Sequence, residues 1–300
     1  MLTRRTFGLR ALGLAMSCTL PRQSAAAETA AALTQRLQQE LARIAQGTGG
    51  RLGVAVLDTE TGLRASLRGN ERFPMCSTFK ALASAAVLRR VDRGQSSLDQ
   101  HIQFEAKDIQ PYSPVTKERV ASGMTLAEIC EAAITQSDNT AGNMLLREIG
   151  GPAGLTNFFR SIGDNVSRLD RWEVALNEGT PGDPRDTTSP AAMLKNLQRV
   201  LLGDTLSANS RQTLTDWMVG NKTGGARLRA GVPHDWRVAD KTGTGERGTA
   251  NDIGVFWPPG RKPVVVTVYL TDTKVDAAQC NEAIAKVARA IVDVGSGQTG

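Results

Sequence analysis

Ser77-Thr78-Phe79-Lys80 is the one Ser-x-x-Lys in this 300-residue chain. Met75-Cys76 leads into it, and Ala81-Leu82-Ala83-Ser84-Ala85-Ala86-Val87-Leu88 follows as a run of small and apolar helix formers. The pattern predicts a serine at the first turn of a buried helix. Positions i and i+3 share a helix face, so the Lys80 nitrogen can reach the Ser77 oxygen. A hydroxyl is a weak nucleophile until a neighbour takes its proton, and an adjacent base supplies that step. The helix N-terminus favours the negative charge that develops during attack. The competing reading is an ordinary helix start, with Ser77 as N-cap and Lys80 in solvent. What separates the two is whether the rest of the chain supplies partners.

Those partners need elements to hold them, and the sequence marks these clearly. Leu33, Leu37, Leu41 and Ile44 recur at helical spacing between Ala31 and Ala45. Arg51 to Asp58 and Leu63 to Arg68 read as two strands joined by a Thr59-Glu60-Thr61-Gly62 turn. From Ser77 to about Met218 the chain is mainly helical, with a capping box Thr125-x-x-Glu128 and a Ser189-Pro190 helix start. Residues 171–190 interrupt it with Gly179, Pro181, Gly182 and Pro184, a long irregular loop of the kind that is usually functional. Trp236 to Lys241, Asp252 to Trp257 and Pro263 to Leu270 read as strands, and Ala277 to Val292 as a closing amphipathic helix. The expectation is an α/β chain of the α+β type. A mainly antiparallel five-stranded sheet is built from residues 28–72 and 219–300, and an all-helical insert spans 73–218, with the site in the cleft between them.

Composition narrows the function classes. Four arginines and no acid fall in the first 27 residues, so subtracting them from the formal charge of +6 leaves +2. No basic run remains, which argues against nucleic acid. Thr3-Arg4-Arg5-Thr6-Phe7, a mild apolar stretch to Leu20 and Ala25-Ala26-Ala27 form a twin-arginine export pattern with a cleavage site. Lipoprotein processing at Cys18 is the weaker variant, because Ala15-Met16-Ser17 lacks the usual leucine. The mature chain is expected to start near Glu28 in the periplasm, as a monomer. Outside the leader only Cys76, Cys130 and Cys280 remain, and His101 and His234 sit in polar, turn-like sequence. A metal site or a Ser-His-Asp triad has little to build on.

Ser137-Asp138-Asn139, between two apolar helical stretches, offers a hydroxyl and an amide across a cleft. Lys241-Thr242-Gly243 ends a strand expected at the sheet edge, where a glycine admits a ligand and a lysine attracts an anionic group. Both have internal rivals. Lys222-Thr223-Gly224 follows a helix and reads as its stop, and Ser207-Ala208-Asn209 reads as an N-cap. Gly243-Thr244-Gly245-Glu246-Arg247-Gly248 satisfies a dinucleotide fingerprint, but a strand and not a helix follows, so a hairpin turn is the better account.

Ser77-x-x-Lys80, Ser137-Asp138-Asn139 and Lys241-Thr242-Gly243, in that order, resemble the motif trio of class A serine β-lactamases and penicillin-binding proteins. Arg171-Trp172-Glu173-Val174-Ala175-Leu176-Asn177 resembles the Arg-x-Glu-x-x-Leu-Asn segment of the class A omega loop. The resemblance covers essentially the whole mature chain. It implies that Ser77 is acylated by the β-lactam, with the Ser77 and Thr244 N–H groups as oxyanion hole. It implies that Lys80 and Glu173 manage the Ser77 proton, and that Glu173 with Asn177 holds the deacylating water. Ser137 would relay a proton to the lactam nitrogen. Asn139 would hold the substrate's side-chain amide, while Lys241, Thr242 and Thr244 hold its carboxylate. Tyr112 would stand at the cleft mouth, and Arg171 with Asp186 would close the loop. No cofactor or metal is implied.

Departures from the family pattern are specific. Ala250 stands where many members carry an arginine, and Arg227 matches an arginine that reaches the same space from a neighbouring loop, so the resemblance implies that Arg227 binds the substrate carboxylate. Cys130 has lost the partner that some members bridge, since that position is Ser84. Cys76 matches half of a bridge found in certain carbapenem-hydrolysing members, the other half being Gly245 here. Val174 follows Glu173 where proline is frequent. The expected activity is hydrolysis of penicillins and cephalosporins, conferring β-lactam resistance. The rivals are a penicillin-binding peptidase and a β-lactam sensor, which acylate without needing the water-activating carboxylate of Glu173.

Overall fold

A computed structural model describes residues 23–295, with side chains from residue 31 onward. The export pattern of residues 3–20 lies outside the described residues. The chain runs through α1 (Gln23–Gly47), β1 (Arg51–Asp58) and β2 (Arg64–Leu67), then a two-residue strand β3 (Phe73–Pro74) and α2 (Phe79–Asp92). Two further short strands, β4 (His101–Ile102) and β5 (Met124–Thr125), precede α3 (Leu126–Thr135), α4 (Asn139–Glu148) and α5 (Gly151–Ser161). After the irregular loop come β6 (Thr187–Thr188), α6 (Pro190–Leu197) and α7 (Ala208–Val219). The last strands β7 (Arg237–Thr244), β8 (Ala250–Trp257) and β9 (Val264–Thr271) are followed by α8 (Ala277–Gly295).

The five long strands form one fully antiparallel sheet in the order β2-β1-β9-β8-β7, an α+β fold. Strands from both ends of the chain meet at β1 and β9, where Arg51 pairs with Thr271 and Asp58 with Val264. β9 reads Val-Val-Val-Thr-Val-Tyr-Leu-Thr and is buried throughout, as a central strand covered on both faces must be. One apolar core lies between the sheet and α1 and α8, joining Leu37, Leu41, Val54, Val266, Ile284 and Val287. The other lies on the opposite face and joins Ala55, Val255 and Tyr269 to Leu82, Leu145, Phe159 and Met218. α6 rests directly on the sheet, and Thr267 donates to the Pro190 carbonyl at 2.9 Å.

Local signals place the helix starts. Thr125 accepts from the Glu128 N–H while Glu128 accepts from the Thr125 N–H, the reciprocal cap that the sequence predicts. Ser189 caps α6 ahead of Pro190, and Ser207 caps α7, which disposes of Ser207-Ala208-Asn209 as a rival site. Helix α1 starts earlier than the periodicity of residues 31–45 indicates, because the alanine-rich stretch before it continues the helix.

Candidate active site

Ser77 sits one step off its expected position. Cys76–Thr78 form a 3₁₀ turn, and α2 proper begins at Phe79, so the serine precedes the helix and does not occupy its first turn. The tighter turn still leaves Lys80 in reach, with Nζ donating to Ser77 Oγ at 2.9 Å. Lys80 is wholly buried yet surrounded by oxygen. It donates to Ser137 O at 2.9 Å and Asn139 Oδ1 at 2.7 Å, and its Nζ lies 2.9 Å from Glu173 Oε1. Glu173 arrives from the loop, 96 residues downstream, and places Oε1 3.3 Å from Ser77 Oγ. Its second oxygen accepts from Asn177 Nδ2 at 2.6 Å.

Two other elements complete the cluster. Asp138 is the N-cap of α4, accepting from Ala141 N at 2.9 Å and from Val115 N and Thr116 N at 3.0 and 2.9 Å. These bonds fix the turn in which Ser137 takes a positive φ of 56°. Lys241 on the edge strand β7 then donates to Ser137 Oγ at 2.9 Å and to the Thr242 carbonyl at 2.8 Å. Burial and the nearby Lys80 ammonium push the Lys241 amine well below the usual lysine range. Gly243 is required by contact: a Cβ there would lie 2.9 Å from the Met75 carbonyl and 3.1 Å from Thr78 Cγ2. The strand end is thus pressed against the turn that carries Ser77.

The remaining expected residues fall as follows. Asn139 spends its oxygen on Lys80 and one amide proton on Pro111 O at 2.8 Å. Tyr112 is exposed, and its backbone carbonyl accepts from Asn139 N at 3.1 Å. Arg227 reaches the strand end but is heavily engaged: Nε donates to Asn281, Nη1 to the Gly243 and Asn251 carbonyls, and Nη2 to Thr244 Oγ1 at 2.8 Å. Lys222-Thr223-Gly224 lies past the end of α7, and the Thr223 hydroxyl is 2.5 Å from that of Thr242, so the rival motif backs the strand. His101 and His234 are exposed, and among the described residues no group of His, Cys, Asp and Glu could hold a metal.

The loop is closed at its neck by Arg171 and Asp186, with Nε to Oδ2 at 2.6 Å. Asp186 Oδ1 also accepts from the Asp170 and Arg171 N–H groups at 2.7 and 2.9 Å. Arg171 makes a second ion pair with Glu178. The Glu173–Val174 peptide is cis. Asp186→Ala is therefore expected to cost about 3–5 kcal/mol, because it strips a partly buried guanidinium of its buried partner. A thermal melt and kcat measured together check this, with both falling as the loop that carries Glu173 loosens.

Sequence reasoning missed two asparagines. Asn143 lies one helical turn beyond Asn139 and grips the backbone of Glu173 from both sides, accepting from its N–H at 2.9 Å and donating to its carbonyl at 3.1 Å. Its i+4 spacing from Asn139 was the available signal. Asn251 donates to the Pro74 and Met75 carbonyls at 2.9 and 3.2 Å, tying β8 to the segment before Ser77. Nothing local marks that role. Cys76, Cys130 and Cys280 are buried free thiols. A Cβ on Gly245 would lie 2.6 Å from Cys76 Sγ, so the lost bridge position does face its partner.

A serine, two lysines and a loop carboxylate now stand together, and comparison with known proteins decides what they belong to. A profile described as the β-lactamase enzyme family matches residues 36–294. The chain belongs to the class A β-lactamases. It is 48% identical over 262 residues to the carbapenem-hydrolyzing β-lactamase KPC of Klebsiella oxytoca, covering 87% of this chain and 89% of the relative. It is 50% identical over 246 residues to the β-lactamase AST-1 of Nocardia asteroides, covering 82% and 79% of the two chains. A solved ancestral class A β-lactamase superposes with a TM-score of 0.85 at 63% identity, over 86% of this chain and 99% of that one. The enzyme is thus a serine hydrolase of the β-lactam ring, and the penicillin-binding peptidase and sensor readings are not favoured.

Proposed function

We propose that the enzyme opens penicillins and cephalosporins by acylation of Ser77 and hydrolysis of that ester through Glu173. The observation that carries this reading is the position of Glu173, whose Oε1 lies 3.3 Å from Ser77 Oγ and 2.9 Å from Lys80 Nζ. Lys80 and Glu173 both lie within reach of Ser77 Oγ and together manage its proton as it attacks the lactam carbonyl. The Ser77–carbonyl bond forms and the ring C–N bond breaks. The nitrogen takes a proton from Ser137, which Lys241 holds, and the proton released by Ser77 replaces it, leaving Glu173 free to act again. The Ser77 and Thr244 N–H groups, at the 3₁₀ turn and the strand end, stabilise the oxyanion. In the second half Glu173 takes a proton from water as the water oxygen attacks the ester carbon, and the proton returns to Ser77 Oγ as the ester C–O bond breaks. Asn177 Oδ1, buried beside Glu173 without a partner among the described residues, is a ready acceptor for the water's other proton.

Lys241, Thr242 and Thr244 bind the substrate carboxylate, with Arg227 supporting Thr244, and the spare Asn139 N–H faces the side-chain amide. Tyr112 lines the mouth. The leader pattern supports periplasmic export, where such hydrolysis protects cell-wall synthesis and confers resistance. Purified residues 28–300 mixed with a chromogenic cephalosporin should give many turnovers per protein; a single stoichiometric burst would refute hydrolysis. The depressed Lys241 amine adds a pH signature. Its cationic form is lost at lower pH than that of a free lysine, so KM for penicillins should rise early in the alkaline range. Lys241→Arg should keep KM flat there, and a wild-type KM that also stays flat would contradict carboxylate binding by Lys241.

A further inference from the structure

Two aspartates behind the strand end are buried against each other with too few donors to be ionised together. Asp240 and Asp252 are both fully inaccessible. Asp252 on β8 pairs with Thr242 on β7, and Asp240 pairs with Gly254. Side chains alternate along a strand, so Asp240, Thr242 and Asp252 share one face, opposite to Lys241. Gly254 presents no side chain across from Asp240, so the two carboxyl groups are diagonal neighbours on one face of adjacent strands.

Their other partners are unequal. Asp240 Oδ1 accepts from Arg229 Nε at 2.5 Å and Oδ2 from Asn221 Nδ2 at 2.7 Å. Asp252 Oδ2 accepts only the Leu228 N–H at 3.1 Å, and its Oδ1 is buried with no donor among the described residues. The facing cations are already engaged. Arg229 also serves the Met218 and Val219 carbonyls, and Arg227 serves Asn281, Gly243, Asn251 and Thr244. Lys241 points to the other face, and the Cys280 thiol on α8 faces the Gly248 and Val275 carbonyls and brings no positive charge. A second buried carboxylate here would face the first across adjacent strands without a counterion of its own.

We propose that Asp252 keeps its proton in the folded enzyme at neutral pH and donates it to the Asp240 carboxylate, so that one shared proton locks the Arg227-Leu228 segment against the end of β7. Burial and the Asp240 charge both raise the Asp252 carboxyl, in agreement with that geometry. Asp252 is then a positioning residue: it touches no substrate and acts by holding Arg227 on Thr244. Its effect on substrate rests on the carboxylate-binding reading above, but the proton itself does not.

Infrared spectroscopy of the substrate-free enzyme at about pH 8, where ordinary carboxyls are ionised, should show the carbonyl stretch of a protonated carboxylic acid. The band should shift in heavy water and vanish in Asp252→Asn. Its absence from the wild type would overturn the proposal whether or not the variant folds. Linkage gives a second test. Between the unfolded carboxyl range near about pH 4 and the raised folded value, the unfolded chain releases a proton that the folded enzyme keeps. Wild-type stability is thus lost as pH rises, and the Tm of Asp252→Asn relative to wild type should climb with pH. A constant difference would overturn the proposal. For the positioning role, Asp252→Ala should raise the penicillin KM several-fold more than it lowers kcat, with Asp252→Asn restoring it. Equal losses in both variants would leave Asp252 no such role.

Discussion

Glu173→Ala is expected to convert the enzyme into a trap, with penicillin remaining as a covalent adduct on Ser77 and turnover falling about 10²- to 10⁴-fold, the usual worth of a positioned general base. The structure explains why acylation should outlast deacylation in this variant. Lys80 keeps three oxygen neighbours, on Ser77, Ser137 and Asn139, so the serine remains held and polarised. The water step has no comparable reserve, because Asn177 then faces its water without a base. Mass spectrometry after brief exposure to penicillin reads the outcome directly. An unmodified protein would show that Glu173 is needed to form the ester as much as to break it.

Lys80→Ala is expected to be the more damaging change, since it strikes stability and chemistry together. Lys80 and Glu173 form an ion pair with both side chains fully buried. Removing the lysine leaves the carboxylate with the Asn177 amide and the Ser77 hydroxyl, and breaking a buried pair from one side costs about 3–5 kcal/mol. For a chain of this size that lowers Tm on the order of 10 °C. Lys80→Ala/Glu173→Gln, which removes the charge altogether, should recover most of the lost Tm without recovering activity. A single variant as stable as wild type would show that the pair contributes nothing to the fold.

Elements with strong local signals were legible before the structure. The β1 range of Arg51 to Asp58 is matched residue for residue, because its apolar run ends in a turn-forming Thr-Glu-Thr-Gly. The caps at Thr125, Ser189 and Ser207 were legible for the same reason: each is a side-chain bond closed within three residues. Ser77 was placed one turn too deep, since a 3₁₀ turn and an α-helical turn share the same apolar residues and differ only in hydrogen-bond register. The sheet order was only partly legible, because pairing β1 with β9 joins segments more than 200 residues apart.

The sequence by itself determined which groups could react. Ser77 and Lys80 are kept within reach by their three-residue separation, which a 3₁₀ turn and an α-helical turn both close, and their motif is unique, so no tertiary contact was needed to nominate them. Only the tertiary structure decided how the distant groups are held: that the Glu173 nominated by its motif stands 3.3 Å from Ser77 Oγ, that Asn143 clamps it, and that Asp252 lies beside Asp240. Spacing within one helix is fixed by backbone geometry, which the sequence carries locally. Distances between separate elements, such as the 96 residues from Ser77 to Glu173, are set by how the loop closes on Arg171 and Asp186 and by how the strands pair, and those are properties of the packed molecule.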